Sequence, residues 1–285
     1  MAAAEASTSL RSMLDGFSLE MTHKDIAGLA EAADLIPQGT RINVTHLAHE
    51  TLDMRLETVQ AALAGGFVPV THIAARRLAD NEELGELLGL LQQLGAADNV
   101  FLIAGDPPEP LGPFECSADV IRTGQLARHG VRVAGVAGHP EGHPAQPYSV
   151  MAGALREKLA LLRDQGIEPA VTTQICFDPE LIVRWLDDLR ANGDEAPVRI
   201  GVSGPAASKR LLGYSGRFGI GVSPDVIAAY GFDPDEESGT VTPDRLIARL
   251  DGLLADRQED TVRAHFFAFS GLPQTTRWIT EAATR

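Results

Sequence analysis

The stretch VPVTHIAARRLADNEELGELLGLLQQLGAADNVFLIAG, residues 68–105, shows the pattern that decides the fold. Its two ends, 68–74 and 99–105, are rich in Val, Ile and Phe and finish in a small residue, which is typical of strands. The segment between them, 81–95, has helical spacing. One face of that helix is formed by Leu84, Leu87, Leu88 and Leu91. Strand, helix and strand in this order predict a parallel βαβ unit.

The same alternation runs along most of the chain. Runs with strand composition occupy 16–21, 41–46, 68–74, 99–105, 132–139, 169–175, 197–204 and 264–271. The segment 178–193 predicts another clear helix, with Asp178 as its N-cap and Pro179 in its first turn. Eight strands separated by helical segments predict an α/β fold, a closed (β/α)8 TIM barrel. The longer interval between the seventh and eighth strands predicts extra helices there.

A doubly wound open sheet is the alternative architecture. That fold usually has fewer strands and a glycine-rich first turn, and no GxGxxG motif follows 16–21. The 285 residues, 44% of them hydrophobic, are enough for one substantial core. No linker or low-complexity tract divides the chain. We therefore expect a flexible lead-in at 1–15 and a single barrel catalytic domain over 16–285.

Charge and cysteine content narrow the class of protein. The formal net charge of −15 at pH 7 opposes binding to nucleic acid or to an anionic membrane. No apolar run approaches the roughly 20 residues of a membrane-spanning helix, and the chain begins without the apolar stretch of a signal peptide. Its two cysteines, Cys116 and Cys176, indicate no disulfide framework. These features predict a cytoplasmic protein whose partner is a small molecule, and none indicates an oligomeric state.

Polar side chains recur where the predicted strands end. They are Glu20, Thr45, His46, His72, Asp106, His139, Glu141, His143, Gln174, Ser203 and Ser270. In a (β/α)8 barrel the carboxyl ends of all strands meet at one mouth, where ligands bind. The pattern therefore predicts a ligand pocket at that mouth, lined from nearly every strand.

Single residues of this set also have simpler interpretations. Glu20 is either a solvated carboxylate or, because an acid between Leu19 and Met21 in an apolar strand needs a partner there or a raised pKa, a candidate proton donor. The proton donor is the favoured interpretation. Asp106, which precedes Pro107, is by itself a common turn former. Position at the barrel mouth is what makes these residues candidates for function.

The segment AGHPEGHP, residues 137–144, holds two histidines with a glutamate between them. Its prolines forbid the helix that would bring both rings together. Zinc requires three or four ligands with supporting partners. His72 and Glu141 are further ligand candidates, so a metal ion stays open. A ligand-binding loop without metal is the favoured interpretation.

Seven motif blocks, in order and spacing, resemble those of the methylenetetrahydrofolate reductase family. The blocks are FSLEM, INVTH, VPVTHIA, NVFLIAGDPP, VAGHPEGHP, TTQICFD and HFFAFSG, between about residues 16 and 280. The resemblance implies a (β/α)8 barrel enzyme that reduces 5,10-methylenetetrahydrofolate to 5-methyltetrahydrofolate. Usual members of the family carry FAD, which takes hydride from NADH or NADPH and passes it to the folate.

Carried over to this chain, the resemblance implies specific roles. Glu20 would be the general acid that protonates N10 and opens the five-membered ring to an iminium at N5. Asp106 would contact the pterin and tune the charge at the reacting centre, and Gln174 would bind the pterin edge. Ser203 and Ser270, at the ends of the last two strands, are the remaining candidates for substrate binding. The positions expected to line the flavin or the nucleotide are Thr45, His46, His72, Gly105, His139, Glu141, His143 and Lys158.

Three features depart from the family pattern. Ala104 replaces the usual arginine two residues before Asp106, and His139 replaces a tyrosine. The helical segment 150–162 lacks the Asp and Asn that hold the flavin in usual members. Loss of charge-assisted hydrogen bonds to a pyrophosphate costs a few kcal/mol. An FAD-bound enzyme and direct hydride transfer from NADH or NADPH therefore stay equally open.

Two other functions also stay open. One is a non-catalytic folate-binding partner protein that keeps the pocket without hydride transfer. The other is a different barrel flavin oxidoreductase, similar to proline dehydrogenase. The presence of Glu20, Asp106 and Gln174 together favours the folate reductase.

Overall fold

The computed structural model describes residues 13–143, 146–218, 239–255, 257, 261–269 and 271–284. Eight strands form a closed barrel. These strands are β1 Ser18–Met21, β2 Arg41–Val44, β3 Val68–Ala74, β4 Asn99–Ile103, β5 Val133–Gly138, β6 Glu168–Thr173, β7 Val198–Ser203 and β10 Val262–Phe267. Every neighbouring pair is parallel, and β1 closes the ring against β10. The predicted (β/α)8 barrel is confirmed.

Helices pack around the barrel. They are α1 Ile26–Ala32, α2 Leu52–Ala64, α3 Asn81–Gln93, α4 Ser117–Arg122, α5 Gln125–Arg128, α6 Tyr148–Asp164, α7 Pro179–Ala191, α8 Ser208–Phe218, α9 Asp244–Leu254 and α10 Leu272–Thr284. Both α8 and α9 lie between β7 and β10, together with an antiparallel pair formed by β8 Ala206–Ala207 and β9 Thr240–Val241. The extra helices predicted before the last barrel strand are confirmed.

Alternation along the strands divides their side chains between the helices and the inside of the barrel. On β10, Phe266 packs outward against Trp278 of α10, with ring centroids 5.9 Å apart. The adjacent His265 and Phe267 consequently face the inside, because successive strand side chains point to opposite faces. The polar side chains that face inward by the same alternation include Ser18, Glu20, Asn43, His72, Thr172 and His265. Bulky apolar residues usually fill such a barrel, so this polar interior is a candidate site.

The two helices predicted from sequence form with small changes at their ends. The segment predicted at 81–95 is α3, which ends at Gln93. The segment predicted at 178–193 is α7, and Asp178 is its N-cap as expected. The Asp178 carboxylate accepts a hydrogen bond from the amide of Leu181 at 3.0 Å, which satisfies one of the free donors of the first turn.

The last barrel strand is displaced from its predicted range, 264–271. The strand begins at Val262, whose register partner is Val198 of β7, and ends at Phe267. Beyond it, the amide of Phe269 donates to the carbonyl oxygen of Phe267 at 3.0 Å, so the chain turns there. Pairing with the neighbouring strand, rather than composition, fixes both ends.

The predicted lead-in, 1–15, falls mainly outside the described residues. Its described part includes Met13 and Leu14, which are buried in the apolar core. In the part of the chain that the structure describes, no helix combines the length and the apolarity needed to cross a membrane.

Candidate functional site

Glu20 occupies the inside of the barrel, close to His265 of β10. Its carboxylate oxygen Oε2 lies 3.8 Å from Nε2 of His265, and its side chain is 24% exposed. The other ring nitrogen of His265, Nδ1, lies 2.8 Å from the Ser18 hydroxyl oxygen. His265 is itself almost completely buried. Glu20 is therefore a partly shielded carboxyl beside an imidazole whose orientation is set by its hydrogen bond with Ser18, and not a freely solvated surface group.

His72 lies inside the same barrel, on β3. Its Nε2 is 3.2 Å from the amide nitrogen of Asn43, and its ring centroid is 4.8 Å from that of Phe101. Burial lowers the pKa of His72 to about 4, an effect that the negative charge of Glu20 partly offsets and the positive charge of Arg55 increases. His72 is consequently neutral near pH 7. Since the Asn43 amide nitrogen donates, Nε2 of His72 accepts and the ring proton is on Nδ1.

Next to His72, His46 and Arg55 leave buried polar atoms without partners. Arg55 is 5% exposed and donates from Nη2 to the carbonyl oxygen of His72 at 2.6 Å. Its Nε and the Nδ1 of His46 are buried and have no hydrogen-bond partner among the described residues. Burial lowers the pKa of His46 to about 3, with further contributions from Arg55 and Arg77. Unpaired buried polar atoms are rare in folded proteins and are expected where a ligand or ordered water supplies the partner.

Asp106 follows β4 and is paired with an arginine that the sequence reasoning did not identify. Arg77 donates from Nη2 to Oδ1 of Asp106. The Arg77 side chain is 14% exposed, whereas that of Asp106 is 56% exposed and accessible from solvent. Gly105 has a φ of +94°, and a Cβ at this position would lie 3.2 Å from the Cβ of Ala74. The left-handed backbone at Gly105 favours glycine, and Arg77 places a guanidinium beside the Asp106 carboxylate.

Gln174 extends from the end of β6 and is half-buried. Its Oε1 accepts from the amide of Ile175 at 2.8 Å and from the hydroxyl of Tyr214 at 3.4 Å. Tyr214, on α8, packs edge-on against Phe269 with centroids 5.0 Å apart. With the oxygen engaged, the side-chain amide nitrogen is the group that Gln174 offers to a ligand. Tyr214 is a second residue of the mouth that the sequence reasoning missed.

The hydroxyl groups predicted at the mouth are used within the protein. Thr45 is 6% exposed and donates to the carbonyl oxygen of Met21 at 3.2 Å. Ser203 is 1% exposed and donates to the carbonyl oxygen of Gly204 at 2.8 Å. Their hydroxyl protons therefore stabilise strand ends. Ser270, the other predicted substrate-binding serine, lies outside the described residues.

The histidine loop after β5 forms a tight turn. The amide of Gly142 donates to the carbonyl oxygen of His139 at 3.0 Å, and the rings of His139 and His143 are 6.0 Å apart at 83°. Burial lowers the pKa of His139 to about 4, and the positive charge of Lys158 on α6 lowers it further. Within the described ranges, no three His, Cys, Asp or Glu side chains are arranged to hold a metal ion. The assignment of this loop to ligand binding stays a prediction.

Glu141 of the same loop reaches towards β6. Its carboxylate interacts with the thiol of Cys176, which also lies 3.4 Å from the carbonyl oxygen of Asp178. Burial, followed by the negative charge of Glu141, raises the pKa of Cys176 well above its usual range. Cys176 is consequently a protonated thiol near pH 7, a form that is a poor nucleophile.

The comparisons with known proteins show the fold. No protein-family model matches the chain. An uncharacterized protein from Clostridium thermocellum that binds two copies of 5-methyl-5,6,7,8-tetrahydrofolic acid has a TM-score of 0.56, 10% sequence identity, and coverage of 94% of each chain. The 3-dehydroquinate dehydratase of Aquifex aeolicus has a TM-score of 0.48 and 12% identity, over 94% of this chain and 97% of that one. The dihydropteroate synthase of Thermus thermophilus has a TM-score of 0.47 and 18% identity, over 94% and 93%.

Proposed function

We propose that the protein is an oxidoreductase that reduces 5,10-methylenetetrahydrofolate to 5-methyltetrahydrofolate with hydride from NADH or NADPH. The observation that carries the proposal is Glu20, a carboxyl inside the barrel mouth with its Oε2 3.8 Å from His265. A general acid is required in this reaction because N10 must be protonated before its bond to the one-carbon unit breaks. The folate as ligand is supported by the Clostridium thermocellum protein, which shares the fold and binds the corresponding 5-methyl compound.

In this proposal Glu20 acts as the proton donor. The protonated carboxyl transfers its proton to N10, the five-membered ring opens, and the resulting iminium at N5 accepts hydride to become the methyl group. His265, oriented by Ser18 on its far side, lies beside the Glu20 carboxyl, with Nε2 3.8 Å from Oε2. His72 is neutral near pH 7, so it does not pair with Glu20 as a cation and does not stabilise the ionised form.

The pterin would be bound from the ends of β4 and β6, the two strands that flank β5 in the barrel. Gln174 offers its amide nitrogen from β6, because its oxygen is already engaged by Ile175 and Tyr214. Asp106 offers a solvent-accessible carboxylate from β4, oriented by Arg77. A carboxylate and an amide fit the donor and acceptor edge of a pterin. The negative charge of Asp106 also stabilises the cationic iminium.

The residues around the mouth favour direct hydride transfer from the nicotinamide. FAD would require partners for its ribityl hydroxyls and its pyrophosphate. The α6 segment 150–162 offers the half-buried cation Lys158 beside His139, but no Asp or Asn. This side-chain set is a poor fit to FAD, so we derive no step through a flavin. The visible spectrum of the purified protein tests the point: flavin absorption bands would contradict direct transfer and would favour the FAD-dependent form.

The function is tested by following NADH and NADPH absorbance with and without 5,10-methylenetetrahydrofolate. We expect substrate-dependent oxidation, and we expect Glu20→Gln to lower its rate roughly 10²–10⁴-fold, the usual contribution of a positioned acid. Glu31→Gln is the matched control. Glu31 is an exposed carboxylate on α1, outside the barrel, and its Oε1 lies 2.9 Å from Nη2 of Arg277. A wild-type rate in Glu20→Gln would contradict the assignment of the acid.

A non-catalytic folate-binding protein is the second candidate. It is favoured by the absence of flavin-type side chains from 150–162, since a protein without hydride transfer has no need of them. Binding of 5-methyltetrahydrofolate without any substrate-dependent oxidation of NADH or NADPH, even with added FAD, would establish this function in place of the reductase.

A further inference from the structure

Three arginines face the inside of the barrel at the mouth opposite Glu20. Arg41, at the start of β2, is in register with Ser18, which faces inward and bonds to His265. Arg263 precedes His265 by two residues on β10 and therefore shares its face. Arg199 of β7 is the register partner of Arg263. We call Arg41, Arg199 and Arg263 the lower arginine cluster.

Among the described residues, the hydrogen-bond acceptors of this cluster are uncharged groups. Arg41 donates to Oδ1 of Asn99 at 2.7 Å. Arg199 donates to the carbonyl oxygen of Gly16 at 2.9 Å, and Arg263 donates to that of Val262 at 2.8 Å. Among the described residues, none of the three guanidinium groups has a carboxylate within salt-bridge distance. Glu168 of β6 attracts Arg41 only over a longer range.

The cluster concentrates positive charge in an otherwise acidic protein. All three arginines are only half-buried. Burial lowers the pKa of Arg199 to about 10, and the positive charges of Arg41 and Arg263 contribute to the shift. Arg199 and Arg263 are like charges in register on adjacent strands, and such pairs are destabilising. This local positive charge contrasts with the net charge of −15 on the whole chain. A bound anion would remove the repulsion.

We propose that the lower arginine cluster binds a compact oxyanion of the phosphate class. Guanidinium groups are suited to this ligand because their planar forks donate paired hydrogen bonds to phosphate-type oxygens. Three of them, reached from one opening, provide enough donors for a tetrahedral dianion. The site is separate from the mouth that holds Glu20, so it does not depend on the proposed reductase activity.

Inorganic phosphate is the probe. Wild-type protein is titrated in a phosphate-free buffer by calorimetry, and its melting temperature is followed at constant ionic strength maintained with NaCl. We expect saturable binding in wild type and roughly tenfold or greater weakening in both Arg199→Gln and Arg263→Gln, because each removes charge-assisted hydrogen bonds.

Arg132→Gln is the matched control. Arg132 precedes β5 near the same end of the barrel, but its side chain is 79% exposed and lies 3.6 Å from Asp98. The control should bind phosphate as wild type does. Absence of saturable phosphate binding in wild type would overturn the proposal, and so would equal weakening of binding in Arg132→Gln. Sulfate and citrate are titrated in the same way, and binding of citrate without binding of phosphate or sulfate would also overturn it. If Arg199→Gln fails to fold, Arg263→Gln and Arg41→Gln make the same comparison.

Discussion

Individual histidines of the barrel mouth are held uncharged by burial. The pKa values of His72 and His139 are lowered to about 4, and that of His46 to about 3. In each case desolvation is the largest cause, and neighbouring positive charges add to it. The mouth thus presents neutral imidazoles, which donate one hydrogen bond and accept another, beside the carboxyl of Glu20. Such groups suit recognition of a polar heterocycle better than recognition of a charged group.

The buried histidines make stability depend on pH in a defined direction. His72 has a pKa of about 4 in the folded state against 6.5 ordinarily, so as pH falls the unfolded chain takes up its proton first. The contribution of neutral His72 to the free energy of unfolding is fully present above about pH 6.5 and is lost as the pH falls towards 4. Between pH 7 and pH 5 the loss from this group is about 2 kcal/mol. We expect His72→Gln to reduce the fall in unfolding free energy, measured by urea denaturation at both pH values.

His49→Gln is the control for this experiment, because His49 is exposed on the loop after β2. It should show the same fall in stability between pH 7 and pH 5 as wild type. An undiminished fall in His72→Gln would mean that the His72 ring is charged in the folded protein or that it is not buried there.

Local sequence revealed some of these residues and concealed others. Glu20 was identifiable because it lies between Leu19 and Met21, and an acid within an apolar strand must face something other than the core. The pairing of Arg77 with Asp106 was not identifiable from sequence, because the two residues are 29 positions apart and meet only when β3 and β4 are neighbours. The signal that was available is the Arg76-Arg77 dipeptide, which begins two residues after the third predicted strand ends at Ala74.

At the scale of elements, strand identity was predictable and strand ends were not. Seven of the eight barrel strands contain Val, Ile or Thr, as expected where both faces of a parallel strand are covered; β1, with the sequence SLEM, is the exception. The end of β10 depended on its partner β7, which local composition does not encode. The contact of Tyr214 on α8 with Gln174 after β6 was likewise not predictable from local sequence. It depends on how an inserted helix packs over the mouth.

One strand shows how the interior is packed around the site. Gly135 of β5 leaves room for the ring of Phe101, which in turn lies against His72. A Cβ at Gly135 would lie 2.6 Å from Cδ2 of Phe101, so Gly135→Ala must displace that ring. We expect a loss of about 1–3 kcal/mol in unfolding free energy, the usual cost of overpacking, measured by urea denaturation.

The same substitution elsewhere should have the opposite sign. Gly153 lies within α6 and has no atom within 4 Å of an added Cβ, so Gly153→Ala should stabilise the protein by about 0.5–1 kcal/mol. If Gly135→Ala were as stable as Gly153→Ala, the ring of Phe101 would not occupy the space beside Gly135.

Over the whole molecule, the two mouths of the barrel differ in chemistry. The mouth at the carboxyl ends of the strands holds Glu20, neutral histidines and the Arg77–Asp106 pair. The opposite mouth holds the lower arginine cluster, where most barrels of this type devote residues to stability. Chain length and net charge do not predict this difference between the two mouths, because it arises only when distant strands align in register.

The net charge makes a prediction for the folded molecule as a whole. A charge of −15 on 285 residues repels itself more strongly in the compact state than in the unfolded chain. Salt screens this repulsion, with a Debye length of about 10 Å at 0.1 M, so we expect the melting temperature at pH 7 to rise as NaCl increases from low to moderate concentration. Equal effects of NaCl and KCl would identify screening as the cause. A fall in melting temperature would instead mean that the surface ion pairs, such as Arg277 with Glu31, contribute more to stability than the net repulsion removes.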